Sequence, residues 1–265
     1  MLKPTLCFAL AMLMLAGCQS TAPVSPLTAQ QKLDRQKATL MFKTRFSHIL
    51  KRAGDLANTQ GRNGAFNLVV TINDKNEVVR CETQSNTYIP VPALAYNSRL
   101  ARDLASICWT AVLPTVPDFL FDPEEKSLRI VAPVMVLPLT DLSPDAQKSR
   151  EAKLLEKAQN NALFDHLLAP LPIDSIGIAT LVVMSDSAGR VQECAASLDP
   201  HGLRPQNFKQ DDALLGGLIK RCKQLDMTTL PGFKPNAQGM SSLVVQMEYT
   251  PWKAGLPSYP NKSAH

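Results

Sequence analysis

The chain has 265 residues, 45% of them hydrophobic and 19% charged, which is the balance of a globular protein rather than a disordered or fibrous one. Its formal charge of +5 is spread without a basic run. Lys51-Arg52 and Lys220-Arg221 are isolated pairs that read as solvated helix faces, so a phosphate-neutralising nucleic-acid surface is excluded. No apolar stretch beyond the N-terminal segment reaches the roughly 18 residues of a bilayer span, and the body is expected to be soluble.

The first feature in chain order is the apolar run Leu6 to Leu15 behind Lys3. It has the length of a secretory signal and is too short to span. Leu15-Ala16-Gly17-Cys18, which ends it, resembles the bacterial lipoprotein signal. An ordinary signal peptide with an incidental cysteine does not account for all four positions. The resemblance implies that residues 1–17 are removed and that Cys18 becomes the lipidated N-terminus, where ~0.8 kcal/mol per buried methylene makes several acyl chains a stable anchor. In that family an Asp directly after the lipidated cysteine retains the protein in the inner membrane. Gln19 therefore implies the outer membrane, with the periplasmic face favoured. Residues 18–34, with Ser20, Thr21, Pro23, Ser25 and Pro26, read as a polar tether.

Two units follow, residues 35–139 and 151–252, joined by a linker at 140–150 and ending in a disordered tail at 253–265. They align at an offset of 113: Gly64 with Gly177, Leu68-Val69-Val70 with Leu181-Val182-Val183, Val78 with Val191 and Cys81 with Cys194. That is six identities in the eighteen positions from 64 to 81, against roughly one expected from composition. The repeat length is that of a duplicated domain and exceeds the 20 to 50 residues of a solenoid repeat.

Each unit shows the same order of elements. A helix comes first, with Phe42, Phe46, Ile49 and Ala53 as its apolar stripe, and residues 151–168 repeat it less cleanly. A hairpin follows, Phe66 to Ile72 and Glu77 to Cys81, its polar turn matched by Ser185 to Gly189. The aligned Asn76 and Gly189 both tolerate the positive φ a tight turn requires. A second helix carries Leu100, Leu104, Ile107 and Cys108 on one face and is capped by Asn97 or Ser98; Asp211 or Asp212 caps its counterpart. The last strand alternates in the second unit, Leu243, Val245, Met247 and Tyr249 against Val244, Gln246 and Glu248. In the first unit Leu128 to Val136 is more uniformly apolar, and Pro133 marks an edge or a bulge.

Six cysteines are present, and after Cys7 and Cys18 are set aside four remain, in two pairs of nearly equal spacing. Bonds Cys81 to Cys108 and Cys194 to Cys222 would each staple the hairpin to the following helix. A reduced redox or metal pair competes with that reading, but neither unit has a CxxC, and His48, His166, His201 and His265 are scattered. No metal or other cofactor is expected.

Gly177 to Val183, the turn Asp186 to Gly189, Val191, the helix around Leu214 to Cys222 and Pro231 with Phe233 resemble the C-terminal domain of TonB. The cysteine pair resembles the TolA version of that fold. The resemblance implies an α+β protein: a tandem duplication of a small antiparallel sheet packed by helices, with one disulfide per copy. It also implies binding of envelope proteins at a sheet edge by strand addition, without catalysis. Where those families have an energised membrane helix, a lipid anchor implies that only the binding end is kept. Glu124-Glu125 and Asp211-Asp212 read as a loop pair and a helix cap rather than as acid and base. Trp109 is expected to pack over its disulfide. Trp252 is either a strand-end plug or part of a binding surface. The expected protein-binding residues are Leu243, Val244, Gln246 and Glu248 on the unbroken strand of the second unit, with Trp252. An enzyme or small-ligand site in the crevice between the units, and a structural subunit of a secretion or adhesion machine, are the rival readings.

Overall fold

The computed structural model describes residues 26–58, 61–86, 94–137 and 142–254. Cys18, the signal segment and the tail beyond Ala254 lie outside the described residues. The first helix, α1, runs Ala29–Ala57 and so starts inside the expected tether. A capping box is the reason. Gln31 donates its backbone N–H to Thr28 Oγ1 at 3.2 Å, and Thr28 donates its own to Gln31 Oε1 at 2.9 Å. Phe42, Phe46 and Leu50, one helical turn apart, are the residues α1 buries; Ile49 is partly buried beside them.

The hairpin is β1 (Gly64–Asn73) and β2 (Val78–Ser85), turned at Asn76 with φ 62°. Helix α2 (Ser98–Thr110) is capped by Asn97, whose Oδ1 accepts from the N–H groups of Arg99 and Leu100, both at 3.1 Å. Strand β3 (Ser127–Val136) closes the first copy.

In the second copy α3 spans Pro144–Leu163 and passes into a π turn at Phe164–Leu168. The expected linker is therefore short, because Ser143 caps α3 by accepting from Ala146 N–H at 3.3 Å and Pro144 opens it. Strands β4 (Gly177–Asp186) and β5 (Val191–Pro200), helix α4 (Asp212–Cys222), strand β6 (Met240–Tyr249) and the short α5 (Pro251–Ala254) follow. Asp211 caps α4 by accepting from Leu214 N–H at 2.8 Å.

The fold is α+β, two three-stranded antiparallel sheets in the orders β2-β1-β3 and β5-β4-β6. The duplication reaches the irregularities. Each hairpin register shifts once, between Thr71 and Ile72 in one copy and between Met184 and Ser185 in the other, which are equivalent positions at the offset of 113. The shared glycine has a steric cause in each copy. A Cβ at Gly64 would stand 2.7 Å from the Phe66 ring, and one at Gly177 would stand 2.6 Å from Cζ of Tyr249.

Disulfides join Cys81 to Cys108 and Cys194 to Cys222, with Cα separations of 5.9 and 6.2 Å. Each ties a hairpin strand to its covering helix, and the chain-entropy account gives about 3 to 4 kcal/mol for loops of this length. Each sheet has one face under its helices, where Phe66, Leu68, Val70 and Ile72 of β1 and Ala179, Leu181 and Val183 of β4 are buried. A buried Leu or Val side chain contributes about 1.5 to 3 kcal/mol. Trp109 and Cys81 are both partly buried against the first core.

The copies are joined by a buried cation. Arg204, 2% exposed, follows β5 in the second copy, and its Nη1 donates to the Asn76 carbonyl in the hairpin turn of the first at 2.7 Å. Its Nε donates to Asn207 Oδ1 at 3.1 Å, and its guanidinium stands 5.4 Å from the centroid of the Trp252 ring. Trp252 itself packs against the core of the first copy. Gln206 donates to Thr115 Oγ1 at 3.0 Å, and Arg150 of α3 donates to the Asn58 carbonyl at the end of α1.

Candidate functional site

In each sheet the third strand lies at an edge, so half its backbone groups lack a sheet partner. Strand alternation tells which half. In β6 the Met240 carbonyl turns away from β4 to accept from Asn236 N–H at 2.7 Å, and the β4–β6 register runs without a shift. Ser242, Val244, Gln246 and Glu248 therefore face the free side. Two of them are already occupied. The Gln246 carbonyl accepts from Asn160 Nδ2 of α3 at 3.2 Å, and the Glu248 carbonyl from Lys253 Nζ at 3.3 Å.

This changes the reading of the expected binding residues. Leu243 is partly buried against the second core, and Val244 is 69% exposed. Gln246 and Glu248 carry carbonyls capped by the chain itself. Trp252, partly exposed, stands in the seam between the copies, against the first core and beside Arg204. The alternation of β6 is as expected, but the edge it forms is half covered, because α3 and α5 lie where a partner strand would enter.

Lys253 also stands 3.9 Å from the centroid of the Phe164 ring. Burial pushes its ammonium down to about 8, against the raising effect of Glu248 and Asp165. His201 Nε2 lies 3.5 Å from Glu248 Oε1. Burial pushes the Glu248 carboxyl up, but the His201 hydrogen bond and the charges of His201, Lys253 and Arg52 hold it below its ordinary value. The Lys253 cap of β6 is thus part of a charged cluster with Glu248, His201 and Asp165.

The first copy is the converse. The Ser127 carbonyl turns away from β1 to accept from Asp122 N–H at 2.8 Å, and pairing with β1 runs unshifted from Ser127 to Val136. Arg129, Val131, Pro133 and Met135 face the free side, and Pro133 withholds its donor there without cost to the sheet. Pro133 marks an edge, and the β1–β3 register has no bulge.

That edge opens onto a groove of about 990 Å³. One wall is α1, through Phe46, Ser47, Leu50, Lys51, Gly54 and Asp55. The facing wall is the first half of α3, through Ala146, Ser149, Arg150 and Lys153, so each copy supplies a side. Val131, Met135, Leu137 and Leu142, between 40% and 59% exposed, line it, an apolar strip of the kind that marks an interaction site. The edge of β3 and a crevice between the two copies thus coincide in this groove.

Sequence reasoning passed over these residues, although β3 carried a signal. A strand apolar on both faces at an edge leaves an apolar outer face, here Val131, Pro133 and Met135. Neither the approach of α3 nor the capping of β6 had any local sequence mark. Compared with known proteins, the chain matches no family model, no curated protein and no solved structure.

Proposed function

We propose that the protein is a non-catalytic, lipid-anchored binding module of the bacterial cell envelope that receives an extended segment of a protein partner along the free edge of β3. The observation that carries this reading is the pairing of a strand edge that no other strand covers among the described residues with a groove walled by helices on both sides. Backbone N–H and C=O groups at such an edge gain most from another backbone, and the groove supplies apolar contact for alternate side chains. The TonB and TolA resemblance supports the same mode of recognition, and the Cys18 motif supports an anchor at the outer membrane with residues 19–28 as the tether.

Crosslinking in intact cells tests the reading. A photo-reactive amino acid at Met135 is expected to join the protein to defined envelope proteins, whereas one at Gln246, on the capped edge, is expected to give none of these products. Equal products from both positions would remove the β3 groove as the working surface. Fractionation of Cys18→Ser is expected to show the protein released from the membrane, and unchanged fractionation would remove the anchor.

A further inference from the structure

We infer that the partner segment is acidic: an extended stretch in which Asp or Glu alternates with apolar residues, seated between β3 and the two helices. This inference rests on the strand-addition reading above and adds the chemistry of the occupant. Its basis is the charge of the walls. Lys51 on α1 and Arg150 and Lys153 on α3 line the groove against the single carboxylate of Asp55. Among the described residues neither Lys51 nor Lys153 lies within ion-pair distance of a carboxylate, and both are exposed. The rest of the lining is largely apolar: Phe46 and Leu50 from α1, and Val131 and Met135 from the outer face of β3.

A segment lying along β3 points successive side chains to opposite faces. One set meets the apolar lining while the cations of Lys51, Arg150 and Lys153 favour carboxylates on the other. A nucleic acid or lipid headgroup satisfies the cations but leaves the outward N–H groups of Val131 and Met135 without the backbone acceptors a strand supplies. Pairing between two copies of β3 would set two Pro133 residues into the shared ladder, two missing donors where a partner strand meets one, which opposes a second copy as occupant.

The test uses the chain from Cys18 onward without lipid, with fluorescent decapeptides as probes: alternating Val and Glu, alternating Val and Lys, and the Val-Glu peptide N-methylated at alternate residues. The Val-Glu peptide is expected to bind at least tenfold more tightly than Val-Lys at low salt, with the difference shrinking as salt rises. Lys51→Glu with Lys153→Glu, both on exposed positions and checked by circular dichroism, is expected to reverse that preference. Equal binding of the two charge types, no binding of either, or indifference to the double reversal overturns the acidic occupant. Binding of the protein to vesicles of anionic phospholipid in place of the peptide overturns it in favour of a membrane surface. If the N-methylated peptide binds as well as its parent while the charge preference holds, the acidic specificity stands and strand addition fails, so the two readings separate.

Discussion

Arg204 ties the two copies together from a buried position. Among the described residues no carboxylate lies within ion-pair distance of it, and burial pushes its guanidinium down to about 10 although Glu77 acts to raise it. The cation is held by the Asn76 carbonyl, the Asn207 side chain and the Trp252 ring. Arg204→Ala strips donors from two partly buried acceptors and opens a cavity under the indole, so a loss of about 2 to 4 kcal/mol is expected, read as a lower urea midpoint. Lys253 gives a pH signature. Its folded-state value of about 8 lies below the ordinary 10.5, so between those limits the unfolded chain holds more protons than the folded one. Stability from this group therefore rises with pH from 8 toward 10, at no more than about 1.4 kcal/mol per unit. Lys253→Met keeps the contact with Phe164 and is expected to flatten that slope. Denaturation at pH 8, 9 and 10 for both proteins checks it, and parallel curves would show that Lys253 does not carry the effect.

At the scale of elements, Pro133 and the caps on β6 are two ways of managing the same liability. A long apolar edge strand invites pairing with a second molecule, and each copy blunts its edge differently. In β3 a missing donor interrupts the ladder, while in β6 Asn160 and Lys253 fill two carbonyls. Pro133→Val restores a donor on the outward side of β3 and leaves the pairing with β1 intact. It is expected to change stability by about 0.5 kcal/mol or less and to produce concentration-dependent dimers in sedimentation velocity; a monomer at every concentration would show that Pro133 has no such role. The same two strands show how far the sequence was readable. Periodicity, turn residues and the repeat offset were enough for the hairpins, the buried faces of α2 and α4 and the disulfide pairs, because those depend on local spacing. The choice between edges was not readable. It depends on where α3 and α5 come to rest, and contacts such as Asn160 to Gln246, separated by 86 positions, leave no local pattern. The helix starts at Ala29 and Pro144 were legible in principle through the capping residues Thr28 and Ser143, but the polar composition around them outweighed those single residues.

For the molecule as a whole, the two copies differ in how their sheet edges are covered. The second copy closes its own edge and lends α3 as a wall to the first, so the groove exists only while the copies hold their relative position. Arg204, Trp252, Gln206 and Arg150 each cross between the copies, and together they couple two cores that would otherwise unfold separately. Each core has its own sheet and disulfide, so it is the seam that decides whether unfolding is one transition or two. The intact protein is expected to unfold in urea as one transition, with tryptophan fluorescence and far-ultraviolet circular dichroism coincident. Trp252→Ala removes the large apolar contact of the seam and the ring beneath Arg204, at a cost of about 3 to 5 kcal/mol borne by the coupling rather than by either core. In that variant the circular dichroism curve is expected to split into two steps, and peptide binding in the β3 groove to fall although no groove residue has changed. A single unsplit transition with binding intact would mean that the copies hold their places without the seam, and that the α3 wall is fixed by Arg150 and the chain connection alone.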